Sequence, residues 1–275
     1  MADSGNNPSD RALIPGTLTY LGVGEPAVAG VLFTARTGGS STGPYQGLNL
    51  AHHVGDDPGA VDHNRRLIDV FTAQNNPVTW MDQVHGRTIG VIGRIPATIP
   101  GPPVEVVPAT IGSTSPATDA LVACGTGIPV GVLVADCVPL IMVDLPHRIV
   151  AAVHAGRRGA AAGIAESTFQ VMAAVGARPD TTAAFIGPSA RGCCYEVDQA
   201  TALQVEQQLP GSARPTSTGA PGLDLAAGLH HQLSRLDVKT IEISDRCTIC
   251  DTDYFSYRRA HTTGRQAGVV WIGSR

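Results

Sequence analysis

Two apolar, β-prone runs joined by a short polar break constrain the fold of this chain more than any other segment. Residues 138–143 (VPLIMV) and 149–153 (IVAAV) flank DLPHR, whose proline and polar residues supply a turn. The pattern predicts an antiparallel hairpin. Centring its loop on Leu145-Pro146 sets residue 137 opposite residue 154, and directly opposed residues have Cβ atoms roughly 5 Å apart. Cys137 and His154 then face each other at the open end of the hairpin, where a thiol and an imidazole can build chemistry.

The remaining chain reads as a mixture of strands and helices. LTYLGVG and AVAGVLFTAR are expected strands, followed by the Gly/Ser-rich loop TGGSSTGPYQG. A helix is expected from Pro58 to about Ala73, capped by Asp56 or Asp57, with Val61, Leu67, Ile68 and Phe71 on its apolar face. VTWMDQVH, TIGVIG, LVAC, VGVLVA, TAAFIGP, TIEIS and GVVWIG are further strands. Helices are expected over 160–175, 196–208 and 223–235, with a flexible loop at 209–222. Hairpins outnumber crossovers, so the expected class is α+β, with helices packed outside mixed sheets.

With 275 residues and 43% hydrophobic content, the chain can bury one large core. Residues 1–16 are polar and read as a disordered tail. Residues 17–275 read as one domain, in which 94–118, with its six prolines, is a surface insertion. A net charge of −4 offers no footprint for nucleic acid or an anionic membrane. Lys239 is the sole lysine among 19 basic residues, which argues against Schiff-base and P-loop chemistry. Neither a signal core nor a membrane span is evident, so a cytoplasmic protein is expected.

Three residues stand in sharp contexts: His85 in WMDQVHG, Cys137 in LVADCVPL and His154 in IVAAVHAGRRG. Together they make a Cys/His₂ set, which suits zinc with one coordination position left open. The same pair of Cys137 and His154 also suits a metal-free nucleophile and base. HAGRRG follows a strand and opens a helix, so its backbone N–H groups can hold phosphate or an oxyanion, or its glycines can simply permit close packing. GTGIPVG lies between strands and is not a dinucleotide loop. Cys247-x-x-Cys250 could be redox-active or metal-binding, but it lacks a partner CxxC, and it and Cys193-Cys194 are read as structural thiols. Ser256, Arg258 and Arg265 lie in SYRRAHTTGR, where arginines can clamp an anion or simply be solvated.

With QVHG, ADCVP and HAGRRG in one chain, the sequence resembles the laccase-domain family, also called polyphenol-oxidase-like or multifunctional purine nucleoside phosphorylases. FTARTGGSSTGPYQGLNL, HVGDDPGAVDHNRRL, TDALV, GPSARGCCYEVD and CTICDTDYFSYRRAHTTGRQAGVVWI extend the match over residues 30–272. The resemblance implies a single-domain α/β/β/α-like sandwich and a zinc held by His85, Cys137 and His154. It implies phosphorolysis of adenosine, inosine, guanosine or methylthioadenosine, and deamination of adenosine. An earlier family label was copper-dependent phenol oxidation, and some bacterial relatives are linked to editing peptidoglycan precursors. The chain departs from the family where HAGWRG is usual: Arg157 replaces the tryptophan, adding a cation where a stacking surface is expected. The 94–118 stretch also looks longer than usual.

These activities suggest roles for other residues. Asp136 is a candidate base, if the chain bends enough to aim it at the site. Arg36, Arg258 and the HAGRRG turn are candidate phosphate contacts. Asn49 and Gln83 could read the purine or ribose edge. The expected partners are a purine nucleoside and phosphate. Nine histidines without an H-x-H pair argue against several copper centres, although copper can occupy one Cys/His₂ site adventitiously.

Overall fold

The hairpin strands are apolar at every position because both of their faces are covered. In the computed structural model, which describes residues 16–22, 27–93, 98, 105–112 and 114–274, they lie inside a four-layer sandwich. Strands β1 (Gly16–Leu21), β2 (Ala27–Thr34) and β3 (Thr79–Asp82) come first, with helix α1 (Pro58–Thr72) between the last two. A run of strands follows: β4 (Ile89–Ile92), β5 (Val106–Pro108), β6 (Thr114–Ala117), β7 (Ala120–Cys124), β8 (Val130–Val134), β9 (Val138–Asp144) and β10 (Ile149–Ala155). Then come α2 (Arg157–Ala161), α3 (Ile164–Ala174), β11 (Thr182–Ile186), α4 (Gln199–Gln208), β12 (Ala213–Pro215) and β13 (Pro221–Leu223). The chain closes with α5 (Leu225–Arg235), β14 (Thr240–Ile243), α6 (Tyr257–Ala260) and β15 (Gln266–Ser274).

One sheet has the order β1-β2-β15-β8-β3-β6 and the other β14-β11-β9-β10-β7-β4-β5. Between them, Val31, Phe33, Val132, Val270 and Ile272 of the first meet Leu121, Ile141, Val143, Val150 and Ala152 of the second. The opposite face of the second sheet, with Leu140, Met142, Ala151 and Val153, packs on Phe169 and Met172 of α3 and Leu229 and Leu233 of α5. Ile68 and Phe71 of α1 cover the outer face of the first sheet at Leu32, Trp80, Val269 and Trp271. Each fully buried large side chain contributes about 1.5–3 kcal/mol, which is why three interleaved apolar layers hold the four-layer stack. The expected α/β/β/α sandwich of one domain is what forms.

Local readings hold or shift for identifiable reasons. Asp57 caps α1 by accepting from Gly59 and Ala60 N–H, and the helix stops at Ala73 in the left-handed region (φ 52°). The helix expected over 160–175 is two, α2 and α3, separated at Gly163, whose φ of 83° no right-handed helix accommodates. The segment 209–222 is not simply a loop but carries the hairpin of β12 and β13. The described part of 94–118 adds edge strands, with β5 pairing β4 and β6 pairing β3. The tail expectation falls on residues 1–15, outside the described residues, and Gly16 already belongs to β1.

The hairpin register differs from the sequence expectation by two residues. His154 pairs with Pro139 and Ala155 with Val138, so the loop is centred between Pro146 and His147. Buried Asp144 draws in the His147 N–H (3.3 Å), and Arg148 turns the chain at φ 56°. Cys137 thus lies just beyond the ladder, beside Gly156 rather than directly across from His154.

Candidate metal centre and its cavity

Three chain crossings between the two sheets run side by side, and the site is built on them. Residues 83–88 lead from β3 in one sheet to β4 in the other, 118–119 from β6 to β7, and 135–137 from β8 to β9. The first carries His85, the second Asp119 and the third Cys137. His154 comes from the end of β10. Sharp turns at two crossings require left-handed backbone: φ is 60° at His85 and 87° at Asp136. Such values are uncommon for residues other than glycine, and Asp and His are among those that tolerate them.

Asp119 organises the cluster from beneath. Its buried carboxylate accepts from the N–H groups of His85 (2.9 Å) and Gly86 (2.6 Å), fixing the first crossing. The same carboxylate meets His154 Nδ1 at 2.7 Å, while its backbone carbonyl accepts from His154 N–H (2.8 Å). With Nδ1 committed to the carboxylate, His154 presents Nε2 to the cluster. Burial alone raises the Asp119 carboxyl, but the hydrogen bonds from His154, Gly86 and His85 outweigh it and hold the group below its usual range.

The donor atoms of His85, Cys137 and His154 all lie within 4.8 Å of one another, and the two imidazole rings meet edge to face at 4.7 Å. Burial pushes the Cys137 thiol up, yet the His154 charge and hydrogen bonds from both imidazoles bring it down to about 6. Burial lowers His154, but the Cys137 sulfur and the Asp119 hydrogen bond raise it to about 9. The space at the centre is guarded by Gly156. A Cβ there would stand 2.8 Å from His85 Nδ1 and 3.3 Å from Cys137 Sγ. Two imidazoles and one sulfur, backed by a carboxylate and kept clear by a glycine, form a donor set that fits a zinc-like metal ion with an open position.

A cavity of about 390 Å³ opens on these atoms, walled by His53, Gln83, Leu133, Tyr257 and Arg265. Of the residues singled out from sequence, Arg265 joins the cluster in this cavity, and so does Gln83. Its amide is already committed at both ends, donating to the Leu133 carbonyl (2.7 Å) and accepting from Leu133 N–H (2.9 Å). Asn49 is fully buried and away from the cavity wall; its oxygen accepts from Arg265 N–H (2.9 Å), so it positions that arginine's backbone. Arg36 lines a neighbouring cleft formed by the Gly/Ser loop and stacks on Phe255 at 5.1 Å. Arg258 lies over Tyr195 at 4.8 Å and donates to the Glu196 carbonyl.

The bend at Asp136 does not aim its carboxylate at the cavity. One oxygen accepts from Thr248 Oγ1 and the other from Arg258 N–H, both at 2.7 Å. Asp136 therefore ties the third crossing to the 247–260 segment. Ser256 caps α6 through Arg259 N–H, which places the neighbouring Tyr257 at the cavity rim. Arg157 and Arg158 face a separate groove against Gln204 and Gln208 of α4, so the replaced family tryptophan position is not in this cavity.

Sequence reasoning missed Asp119, His53 and Tyr257. Each sits in a segment that carried the family resemblance, but nothing in TDALV distinguishes a buried carboxylate from a surface one. Arg265 was legible as one of several candidate arginines, and among those named from sequence it is the one that lines the cavity. Among the described residues, one further group gathers metal-ligating atoms: Cys193, Cys194, Cys247 and Cys250. The structure thus brings together thiols whose sequence suggested separate packing roles.

A four-layer α/β/β/α sandwich with a mixed nitrogen–sulfur cluster where strands cross between its sheets defines the class. The chain belongs to the multi-copper polyphenol oxidoreductase laccase family, whose model matches residues 30–273. A purine nucleoside phosphorylase of Corynebacterium glutamicum is 47% identical over 242 residues, covering 88% of this chain and 93% of that protein. Another from Mycobacterium tuberculosis is 42% identical over 240 residues, covering 87% of this chain and 90% of that protein. YlmD from Geobacillus stearothermophilus has a TM-score of 0.74 at 31% identity, covering 95% of this chain and all of that one. A Neisseria meningitidis protein has a TM-score of 0.75 at 30% identity, covering 94% and 99% of the two chains. Several copper centres, as the family description would need, do not fit the residues here: among the described residues a single cluster contains imidazoles.

Proposed function

We propose that the chain is a purine nucleoside phosphorylase that works with a zinc ion held by His85, Cys137 and His154, and that it also deaminates adenosine. The observation that carries this reading is the cavity of about 390 Å³ opening on the cluster, a volume at the low end of small-molecule sites. The names of the relatives point to the same substrate class. When bound, the metal supplies Lewis-acid polarisation and an open coordination position.

The walls divide the remaining work. Tyr257, half exposed at the rim, offers an aromatic face on which a purine can stack. Arg265 donates from Nη1 to the Thr263 and Gly264 carbonyls at 2.9 and 3.0 Å, which fixes its guanidinium in the wall. The other N–H groups of that fork suit a phosphate. His53 is lowered by burial and by the charges of Arg265 and Arg65, so it is neutral near pH 7 and able to accept a proton. That role falls to it rather than to Asp136, whose two oxygens are engaged elsewhere. No disulfide joins any of the six cysteines, which is compatible with a cytoplasmic setting.

A zinc-loaded sample incubated with adenosine, with and without phosphate, tests the proposal by product chromatography. Adenine with ribose-1-phosphate, formed only when phosphate is present, is the expected main outcome, with inosine as the deamination product. A folded, zinc-loaded sample that consumes neither adenosine nor inosine would overturn the nucleoside reading.

One observation favours a second reading. Asp119, His154 and Cys137 are aligned as a carboxylate–imidazole–thiol series, which a metal-free Cys/His hydrolase, including one editing peptidoglycan precursors, would use. His85 argues for the metal, because a second imidazole on the same sulfur has no task in such a triad. Protein purified without metal and still acting on an amide substrate would reverse that preference.

A further inference from the structure

Outside the cavity, four thiols converge from two segments distant in sequence. Cys193 and Cys194 follow the loop after β11, and Cys247 and Cys250 lie between β14 and α6. All four sulfurs fall within 4.8 Å of one another. Cys193 and Cys250 are 3.6 Å apart. Tetrahedral zinc with Zn–S bonds of about 2.3 Å sets its sulfurs about 3.8 Å apart, close to that value. Cys194 and Cys250 are closer, at 2.7 Å, still longer than the roughly 2.05 Å of a disulfide.

The frame around the sulfurs is already ordered. Cys247 bridges to Ser189 in parallel fashion, and Thr248 N–H donates to the Ser189 carbonyl at 3.0 Å. Arg191 N–H points at Cys247 Sγ at 3.5 Å. The N–H groups of Ile249 and Cys250 also turn toward this sulfur, the arrangement in which a C-x-x-C loop supports a thiolate. The guanidinium of Arg259 gathers the carbonyls of Thr248, Ile249, Asp251 and Tyr254 into one rigid loop. On the other side, Ser217 N–H and Oγ both donate to the Cys193 carbonyl at 2.9 Å.

We propose that Cys193, Cys194, Cys247 and Cys250 form a second, structural zinc site of the Cys₄ type, separate from the His85/Cys137/His154 cluster. Four sulfurs at one point satisfy a tetrahedral ion, whereas a disulfide would join two and leave two thiols crowded beside it. On binding, the thiols release their protons to solvent, Cys194 swings away from Cys250, and no redox change is involved. All four positions are then filled by protein, which marks a structural rather than catalytic ion. The ion would staple the 189–195 segment to the 247–260 segment. That second segment carries Thr248, which grips Asp136 beside Cys137, and Tyr257 in the cavity wall. The staple therefore holds the wall of the cavity without touching substrate.

Metal analysis of the full chain, purified under reducing conditions, tests this independently of the first cluster. Cys137→Ala removes the first site, and this variant is expected to retain one equivalent of zinc. Substituted with cobalt(II), it should show the intense thiolate charge-transfer absorption of a tetrahedral all-sulfur site. Adding Cys250→Ser should take the zinc to none. Because that double variant could misfold, differential alkylation of the wild-type protein provides a second readout: a chelator should expose Cys193 and Cys250 to iodoacetamide. A metal-free Cys137→Ala variant that takes up no cobalt overturns the proposal. So does intact mass showing a Cys194–Cys250 disulfide in the reduced preparation.

Discussion

The two sulfur-containing clusters differ in every respect that separates chemistry from scaffolding. The His85/Cys137/His154 cluster mixes nitrogen and sulfur, rests on a buried carboxylate, is kept clear by Gly156 and opens into a cavity. The four-cysteine cluster is all sulfur, lies on surface loops with Cys193 and Cys250 exposed, and lines none of the described cavities. The first is set on crossings between core sheets, whose positions the packed layers dictate. The second joins two surface loops, which the proposed ion would staple together. Loss of a ligand should accordingly abolish function in the first case and loosen structure in the second.

The sharpest way to break this contrast is Cys137→Ala. Turnover of nucleoside is expected to fall below detection, while the melting temperature changes by only a few degrees, because about 1 kcal/mol corresponds to a few degrees in a chain of this size. Thermal melts run beside product assays check both halves; a collapse of the fold would make the first cluster structural too. Asp119→Asn comes next. An amide cannot both accept from two backbone N–H groups and face His154 Nδ1 as a carboxylate does, so the imidazole loses its fixed orientation. A 10–100-fold loss in metal affinity or activity is expected, about that seen for such supporting groups, with about 1–3 kcal/mol of stability lost. Competition with a chromogenic chelator measures the first and denaturant melts the second.

That contrast also explains what was legible beforehand. The layers were readable because a hairpin apolar at every position, as in VPLIMV and IVAAV, needs cover on both faces. His85, Cys137 and His154 were readable because each stands at the end of a β-prone run. Asp119 was not, since its importance comes from two crossings meeting in space and not from its neighbours in sequence. The register at Cys137 was missed because Asp144 and Arg148 set the turn through a buried carboxylate and a left-handed backbone. Asn49 is the opposite case: a polar residue type suited to a purine edge lies fully buried, its side chain held by Ala51, Asp56 and Arg265. The cysteine pairs failed for want of a second CxxC, where the adjacent Cys193-Cys194 was the missing half.

The acidity of Cys137 provides a milder test of the same contrast. In metal-free protein a thiol held at about 6 is mostly thiolate at pH 7.5, where an ordinary thiol, near 8.5, is mostly protonated. Its alkylation rate should level off above pH 6 and fall about tenfold per unit below it, following the thiolate fraction. Zinc should suppress the reaction throughout. Peptide mapping after pulsed iodoacetamide resolves Cys137 from the other thiols. A midpoint near pH 8.5 would show that the imidazoles do not stabilise the sulfur.

Arg157→Trp should have the smallest effect. Restoring the aromatic residue usual in the family resemblance would matter greatly if this position faced substrate beside His154. Instead Arg157 lines the groove against α4 and is absent from the cavity wall. A tryptophan there has α4 to pack on and no route into the cavity, so kcat/KM for adenosine and inosine should stay within about threefold, under 1 kcal/mol in transition-state terms. A larger change, or a reversal of preference between the two nucleosides, would place substrate across the β10–α2 turn and extend the active site toward α4.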